Sequence, residues 1–351
     1  MSSKKIRILS IDGGGIRGIL PGVVLAYIEE QLMTLEGSQA RLSDYFDLLV
    51  GTSTGGILAC TYLIPARDEQ GKPTHRPKFT ARQAVDLYLE RGDDIFDITF
   101  WQKVRSKGGL TDERYSAAEL EEALNDYYGD TLLSELLRPC LITSYDIRNR
   151  RAHFFSQIDA RASNTHDFPI KEVARATSAA PTYFEVARVK SVFGTPYPLI
   201  DGGVFANNPA MCAYAEARGI PFSTVLNDPG KPDRPRAQDM IIVSLGTGST
   251  FKPYEYSKAK DWGMLEWLQP IIDIMMSGNA ETVTYQLHKI WETTTTPDHF
   301  IRLAPDLYEA KPEMDDASVK NLNCLREAGT KFVTENLERL NKVVELLIEN
   351  K

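Results

Sequence analysis

Apolar and polar residues follow each other in the first third of the chain in blocks that predict strands and helices. Residues 6–11 and 45–50 are short, mainly apolar runs with the length of a buried strand. Each run leads into a glycine-rich turn, and an apolar-periodic stretch follows the turn, at about 19–33 and at 57–63. This repeated strand–loop–helix order predicts a parallel sheet covered by helices.

Signals of the same kind continue to residue 245. They predict strands at 140–147, 151–155, 198–200 and 240–245, and helices at 116–128 and 169–178. The first of these helices opens with a capping box, Ser116-Ala-Ala-Glu119. Polar stretches that contain prolines, at 67–79 and 227–238, predict loops. The whole pattern predicts an α/β fold with three layers, in which helices flank a mostly parallel central sheet.

Residues 1–351 are expected to form a single domain, because the sequence holds no internal repeat and no low-complexity tract. Its core would span about 6–250, and a mainly helical part about 260–351. In that second part an apolar stripe recurs at helical spacing, at Met264, Leu265, Leu268, Ile271, Ile272 and Met275. Trp267 and Ile274 lie off the stripe, so the segment indicates either a core helix or a second contact, with lipid or with another subunit.

Composition excludes some classes of function. The 351 residues include 40 basic and 48 acidic side chains, a net charge of −8, which argues against a nucleic-acid polymer as partner. The four cysteines are far apart and form no CxxC pair, as expected for free thiols in a reducing cytosol. The run at 6–11 is too short for a signal peptide, and no stretch reaches the roughly 18 apolar residues of a membrane span. We therefore expect a cytoplasmic protein.

Gly51-Thr-Ser-Thr-Gly55 fits the G-x-S-x-G pattern of a nucleophile elbow, and it lies between a predicted strand and a predicted helix, as that motif requires. Small residues must flank the serine in so tight a turn, and a helix N-terminus favours negative charge that develops there. The motif predicts that Ser53 is a nucleophile and that Gly51 and Gly55 shape its turn. A plain glycine-rich turn is the alternative.

The loop Asp12-Gly-Gly-Gly-Ile-Arg-Gly18 has two chemical interpretations. Three of its glycines satisfy the G-x-G-x-x-G dinucleotide fingerprint, and Glu36 lies near the distance of a ribose-binding acid, which would indicate an NAD-dependent oxidoreductase. Consecutive glycines also let several backbone N–H groups point at one oxygen, which would form an oxyanion hole. A dehydrogenase needs no nucleophile elbow, so the elbow at Ser53 distinguishes the dinucleotide interpretation from the oxyanion-hole interpretation. A tight turn without chemistry is the third possibility.

Asp201-Gly202-Gly203 follows the predicted strand at 198–200. A carboxylate at the end of a strand lies at the edge where open α/β sheets place their sites. Asp201 could activate Ser53 directly, as a dyad, or orient a histidine, as in a triad. A simple turn residue is the alternative.

The histidines show no features of a site. His288 and His299 follow Asp201 in chain order, as a triad would require, but His288 falls in a helical run. The other three are His75, His153 and His166. No pair has the spacing of a metal motif such as H-E-x-x-H. The sequence predicts neither a histidine base nor a metal ion.

Together, and in this order, the three motifs resemble the patatin-like phospholipase family. The tail Met314-Asp-Asp-Ala-Ser318, with Asn321 and Gly329 beyond it, is similar to plant patatins, so the likeness spans most of the chain. The resemblance implies a Ser53–Asp201 dyad that cleaves acyl esters of membrane phospholipids without a cofactor. It also implies an oxyanion hole formed by Gly13, Gly14 and Gly15 with Arg17 beside it. The alternatives are the oxidoreductase and an inactive lipid-binding module of the same fold.

A cytoplasmic phospholipase that acts peripherally on the inner face of the membrane is expected to be gated, because no pro-segment fits before Asp12. The lack of a signal peptide favours a bacterial-type member of the family. Some bacterial members of the family look like antiphage effectors that cyclic dinucleotides switch on, so the resemblance makes such a ligand a candidate activator. The alternative is an enzyme held back only by poor access to intact bilayers. The stripe at 264–275 would then be the assembly surface of a ligand-dependent homo-oligomer. A basic run at Arg148, Arg150 and Arg151 indicates either a solvated strand edge or a contact with lipid phosphates.

Overall fold

A mixed sheet with a parallel centre forms the middle layer of the protein. The computed structural model describes residues 4–95, 118–248 and 253–351. In these ranges the parallel strands are β1 (Ile6–Ile11), β2 (Leu48–Thr52), β5 (Cys140–Asp146), β9 (Met240–Leu245) and β10 (Phe300–Leu303). The antiparallel strands of the same sheet are β6 (Arg151–Ser156), β7 (Ala187–Lys190) and β8 (Pro196–Asp201). The order is β10-β9-β1-β2-β5-β8-β7, with β6 also paired to β5.

Helices cover both faces of this sheet. The helices up to the middle of the chain are α1 (Ile19–Glu36), α2 (Leu42–Tyr45), α3 (Thr54–Leu63), α4 (Ala81–Ile95), α5 (Ala118–Tyr128), α6 (Gln157–Ala162) and α7 (Ile170–Thr177). Those that follow are α8 (Gly203–Ala206), α9 (Ala210–Ala217), α10 (Phe222–Val225), α11 (Tyr256–Ala259), α12 (Met264–Trp291), α13 (Val319–Glu335) and α14 (Leu337–Glu349). None of the described helices combines the length and the apolar character that are needed to cross a bilayer.

Two hydrophobic clusters show why the helices lie on both faces. Successive side chains of a strand point to opposite faces of a sheet, and both sets are apolar in β1. Leu9 and Ile11 pack into a cluster with α1 and its neighbours, whereas Ile6 and Ile8 pack into a cluster that includes Trp291 at the end of α12. The predicted three-layer α/β fold, with a mostly parallel central sheet, is confirmed.

Several predicted elements differ from the structure. Residues 67–79 are not all loop, because β3 (Pro65–Arg67) and β4 (Pro73–Pro77) form a separate antiparallel hairpin. The part after residue 260 is not only helical, because β10 pairs in parallel with β9 at the edge of the main sheet. Only four residues make up β10, which is too short for a periodic signal. The predicted capping box at 116–119 begins outside the described residues.

Candidate active site

Ser53 lies in a turn that forces its backbone to a positive φ. β2 ends at Thr52 and α3 begins at Thr54, so Ser53 is the single residue between them, with φ 54° and ψ −125°. Positive φ is unfavourable for a residue with a Cβ atom, and such strain concentrates at functional sites. The Ser53 backbone N–H donates to Thr177 Oγ1 at 2.9 Å and so fixes the turn. This is the geometry of a nucleophile elbow.

Two glycines make this turn possible through close backbone approach. A Cβ atom on Gly51 would lie 2.2 Å from the carbonyl oxygen of Gly55. A Cβ atom on Gly55 would lie 2.2 Å from the carbonyl oxygen of Ile11, at the end of β1. Side chains at either position would push the elbow away from the strands that hold it.

The pairing of β5 brings Asp201 to Ser53. β6 pairs with all of β5 except its first residue, and therefore occupies one edge of that strand. β2 and β8 must share the other edge. There β2 ends with Thr52 opposite Thr143, and β8, which runs the opposite way, ends with Asp201 opposite Ser144. The ends of the two strands thus meet at adjacent positions of β5, which places the Asp201 carboxylate within hydrogen-bonding reach of the Ser53 hydroxyl.

Asp201 is a buried carboxylate without a cation beside it in the part of the chain that the structure describes. Its side chain accepts the Gly203 backbone N–H at 2.7 Å and the hydroxyl of Ser53. Burial raises the pKa of Asp201 to about 7, although these two hydrogen bonds act to lower it. A carboxylate with a pKa near neutrality is suited to take a proton from a serine hydroxyl.

The glycine loop after β1 lines the same cleft as Ser53. The Gly13 N–H donates to the carbonyl oxygen of Asn207 at 3.0 Å, so this donor is already occupied, and the loop offers fewer free N–H groups than the sequence suggested. The backbone N–H groups of Gly14 and Gly15 donate no hydrogen bond to other described residues, and both glycines line the cleft. These two groups are available to bind an oxyanion.

An ion pair and a threonine fasten the glycine loop to the sheet. Asp12 receives two hydrogen bonds from Arg302 of β10, at 2.9 and 2.5 Å, and Arg302 also donates to Ser244 Oγ of β9 at 2.9 Å. Thr247 donates to the carbonyl oxygen of Gly13 at 2.6 Å. These contacts tie the loop to β10 and to the residues at and after the end of β9.

Arg17 supports the loop and does not line the cleft. Its guanidinium donates to the carbonyl oxygens of Gly14 at 3.3 Å and Gly248 at 3.4 Å. Burial lowers the pKa of Arg17, and the carboxylate of Asp273 acts to raise it. Arg17 thus lies beside the glycine loop, as the resemblance implies, but its contacts are with backbone carbonyls.

Apolar side chains line nearly all of the cleft into which Ser53, Asp201 and the glycine loop open. They are Ile57, Leu120, Ala180, Pro181, Phe184, Val204, Ile272, Met275, Met276 and Met314. Such a lining suits a fatty acyl chain, because each buried CH₂ group contributes roughly 0.8 kcal/mol. The chemistry that this cleft allows is attack by a hydroxyl on a substrate with a long apolar tail.

The histidines lie away from this chemistry. None of the five lines the cleft. The His288 ring packs on Phe300 with centroids 4.9 Å apart, and His299 is buried just before β10 begins. His153 packs among aromatic rings, and burial lowers its pKa to about 4. In residues 4–95, 118–248 and 253–351, no group of three or more His, Cys, Asp or Glu side chains could hold a metal ion.

The dinucleotide interpretation of the glycine loop does not fit the position of Glu36. Glu36 is the last residue of α1, an 18-residue helix that begins just after the loop, so the two ends lie about 27 Å apart. Its carboxylate contacts Tyr45 and Lys351 instead. A ribose that bound at the loop would not reach Glu36.

Two residues that position the site were not predicted from the sequence. Thr177, at the end of α7, accepts the Ser53 N–H and donates to the carbonyl oxygen of Thr143 at 2.7 Å. Arg302 holds Asp12 from a strand that was not predicted. Neither residue lies in a motif, and both act through contacts across long stretches of chain. The sequence therefore carries no local signal for them.

Comparisons with known proteins agree with the geometry. A family model described as patatin-like phospholipase matches residues 9–214. Patatin-like protein 2 of Arabidopsis thaliana is 35% identical over 359 residues, which cover 96% of this chain and 84% of its own. Patatin-15 of Solanum tuberosum is 29% identical over 339 residues, which cover 92% of this chain and 82% of its own. The alignment with the crystal structure of VipD from Legionella pneumophila covers 99% of this chain and 90% of that chain, at 13% identity and with a TM-score of only 0.28.

The match to the family model includes the glycine loop, the elbow and Asp201, which the fold brings to one apolar cleft. The relatives match nearly the whole chain and most of their own length. The chain therefore belongs to the patatin-like phospholipase family and is a lipid acyl hydrolase.

Proposed function

We propose that the protein cleaves fatty acyl esters of membrane phospholipids with Ser53 as nucleophile and Asp201 as general base. The observation that carries this proposal is that the ends of β2 and β8 bring the Ser53 hydroxyl beside a buried carboxylate whose pKa burial raises to about 7. A carboxylate paired with a cation would be a weaker base, and Asp201 has no such partner in the described chain. The apolar cleft would hold the acyl chain.

The reaction follows from these positions. Asp201 takes the proton of Ser53 Oγ as this oxygen attacks the ester carbonyl carbon, and the carbonyl oxygen becomes an oxyanion beside the N–H groups of Gly14 and Gly15. The carbon–oxygen bond to the leaving alcohol breaks, and Asp201 returns the proton to that alcohol. Water then attacks the acyl-serine with Asp201 again as base, which releases the fatty acid and restores Ser53.

Labelling with a fluorophosphonate tests the nucleophile, because only an activated serine reacts readily. We expect the wild type to be labelled and Ser53→Ala to remain unlabelled. Ser178→Ala is the matched control, because Ser178 lines the same cleft but donates its hydroxyl to the carbonyl oxygen of Ala174 at 2.7 Å. Labelling that is lost in Ser178→Ala but retained in Ser53→Ala would overturn the assignment.

The cyclic dinucleotide activator and the antiphage role stay predictions of the resemblance, and the ligand-dependent homo-oligomer and the cytoplasmic location stay predictions from the sequence. No contact in the described chain favours one activator over another. An assay of liposome hydrolysis with and without a panel of cyclic dinucleotides, with mass followed by light scattering, tests this prediction. Full activity of a monomer that no cyclic dinucleotide changes would rule out that class of activator.

A further inference from the structure

The first half of α12 exposes its apolar side chains. Met264, Trp267, Ile271, Ile274 and Met275 are between 39% and 85% exposed. In the second half of the same helix Val283, Leu287 and Trp291 are buried in the core. Three members of the stripe at 264–275, Met264, Ile271 and Met275, therefore lie at the surface and not in the core. Exposed apolar residues grouped on one helix indicate a surface that meets another apolar phase.

Aromatic rings extend this surface beyond the helix. Trp262 stacks edge-on against Trp267 at 5.0 Å and against Tyr254 at 5.3 Å between ring centroids. Tyr256 is 80% exposed beside them. Tryptophan and tyrosine join an apolar body to a polar tip, and for that reason they collect at the boundary between lipid and water.

The same surface leads directly into the active-site cleft. Met275 is half exposed on α12 and also lines the cleft that contains Ser53. The neighbouring Ile272 and Met276 line that cleft too. A lipid lifted from a bilayer at Met275 would thus pass between apolar side chains all the way to the nucleophile.

A basic hairpin lies next to this helix. Arg148, Arg150 and Arg151 are exposed at the turn between β5 and β6, and none of them forms an ion pair in the described chain. The Phe154 ring on β6 lies 5.8 Å from the Phe205 ring on α8, and the Phe205 carbonyl oxygen accepts Asn279 Nδ2 of α12 at 2.8 Å. These contacts link β6 to the middle of α12 through α8.

We propose that the exposed half of α12, with Tyr254 and Trp262, docks on bilayers that contain anionic phospholipid, and that the three arginines of the hairpin make further contacts with the same bilayer. We call these residues together the docking surface. The apolar side chains would enter the boundary of the acyl region, while the arginines bind lipid phosphates. The apolar cleft that opens at Met275 favours a lipid bilayer as occupant rather than a second copy of the chain, because a bilayer supplies acyl chains to that opening. The proposal rests on the proposed function, because docking presents the lipid to Ser53.

Vesicle sedimentation tests the apolar part. The double variant Trp267→Glu with Ile271→Glu removes two exposed anchors that do not line the cleft. We expect its affinity for phosphatidylcholine–phosphatidylglycerol vesicles, and its hydrolysis of lipid in them, to fall at least tenfold. Hydrolysis of a soluble short-chain nitrophenyl ester should stay within about twofold of wild type. Leu35→Glu is the matched control, since Leu35 is 61% exposed at the far end of α1.

The arginines are tested separately. Replacement of Arg148, Arg150 and Arg151 by Gln should weaken binding to the anionic vesicles roughly fivefold for each residue and leave binding to pure phosphatidylcholine unchanged. Arg326→Gln, an exposed residue of α13, should change neither.

Three outcomes distinguish the proposals. Wild-type vesicle binding by the glutamate variant would overturn the docking surface. A wild type that self-associates, with a variant that is monomeric but still binds vesicles, would assign the face to a second copy of the chain. Vesicle binding by a wild type that cannot hydrolyse the soluble ester would retain the docking surface and reject the proposed function.

Discussion

Asp12 and Asp201 are both buried carboxylates that follow or end strands of the same sheet, but their surroundings differ. Asp12 accepts hydrogen bonds from both Nη atoms of the Arg302 guanidinium, whereas Asp201 accepts them only from a hydroxyl and a backbone N–H. Burial raises the pKa of both carboxyl groups, and Arg302 counteracts this effect at Asp12 alone. The same residue type can thus tether a loop or serve as a base, depending on whether a cation neutralises it.

The largest expected effect is on turnover. Asp201→Asn should lower kcat on a soluble nitrophenyl ester by about 10²–10⁴-fold, because an amide cannot accept the proton of Ser53. Its oxygen can still accept the Gly203 N–H, so the turn should persist. Asp12→Asn, at the buried carboxylate that Arg302 neutralises, should lower kcat far less. A loss of less than tenfold in Asp201→Asn would contradict the base assignment.

The second effect concerns the ion pair between Arg302 and Asp12, which holds the glycine loop. Arg302→Met leaves Asp12 as a buried charge without its partner, and should lower the free energy of unfolding by about 3–5 kcal/mol in urea denaturation. The double variant Arg302→Met with Asp12→Asn should recover much of this loss, because no charge then remains buried. Arg326→Met, on the exposed surface of α13, should change stability by less than about 0.5 kcal/mol. If the Arg302→Met protein were as stable as wild type, the ion pair between Arg302 and Asp12 would not stabilise the fold.

The third effect is a gain in stability when Asp201 is replaced by a residue that cannot ionise. The folded-state pKa of Asp201, about 7, is above its ordinary value of 3.8, so the wild type loses stability as pH rises through this interval. Asp201→Asn does not titrate, and should be more stable than wild type at pH 8 by roughly 2–4 kcal/mol. Thermal unfolding at pH 8 and pH 5 measures the difference, which should narrow at the lower pH. A difference independent of pH would contradict the raised pKa.

The smallest effect is the pH dependence of the reaction. kcat/KM on the soluble ester should fall about tenfold for each pH unit below about 7 and reach a plateau above it, because only ionised Asp201 accepts the proton. Asp167→Asn is a suitable control, since Asp167 is a buried carboxylate that binds Ser134 outside the cleft. It should show the same profile as wild type. A flat profile between pH 5 and pH 8 would leave Asp201 without its role.

Sequence patterns located the three loops because each depends on residues close together in the chain. A strand, a glycine turn and a helix in succession indicate the elbow at Ser53. Short strands such as β7 and β10 escaped prediction, because four residues give no reliable periodicity. The first half of α12 was ambiguous for another reason. An apolar stripe has the same spacing whether it meets the core or a surrounding phase, so the pattern could not tell which.

By itself, the sequence determined the α/β class, the turn at Ser53 and the glycine loop, since these follow from local periodicity and from the small size of glycine. Only the tertiary structure decided that Ser53 and Asp201 meet. They are separated by 148 positions and come together because β6 occupies one edge of β5 and leaves β2 and β8 to end on the other. It also decided that Arg302 reaches Asp12 and not Asp201. Strand pairing over such separations depends on which edges remain free, and no local pattern contains that information.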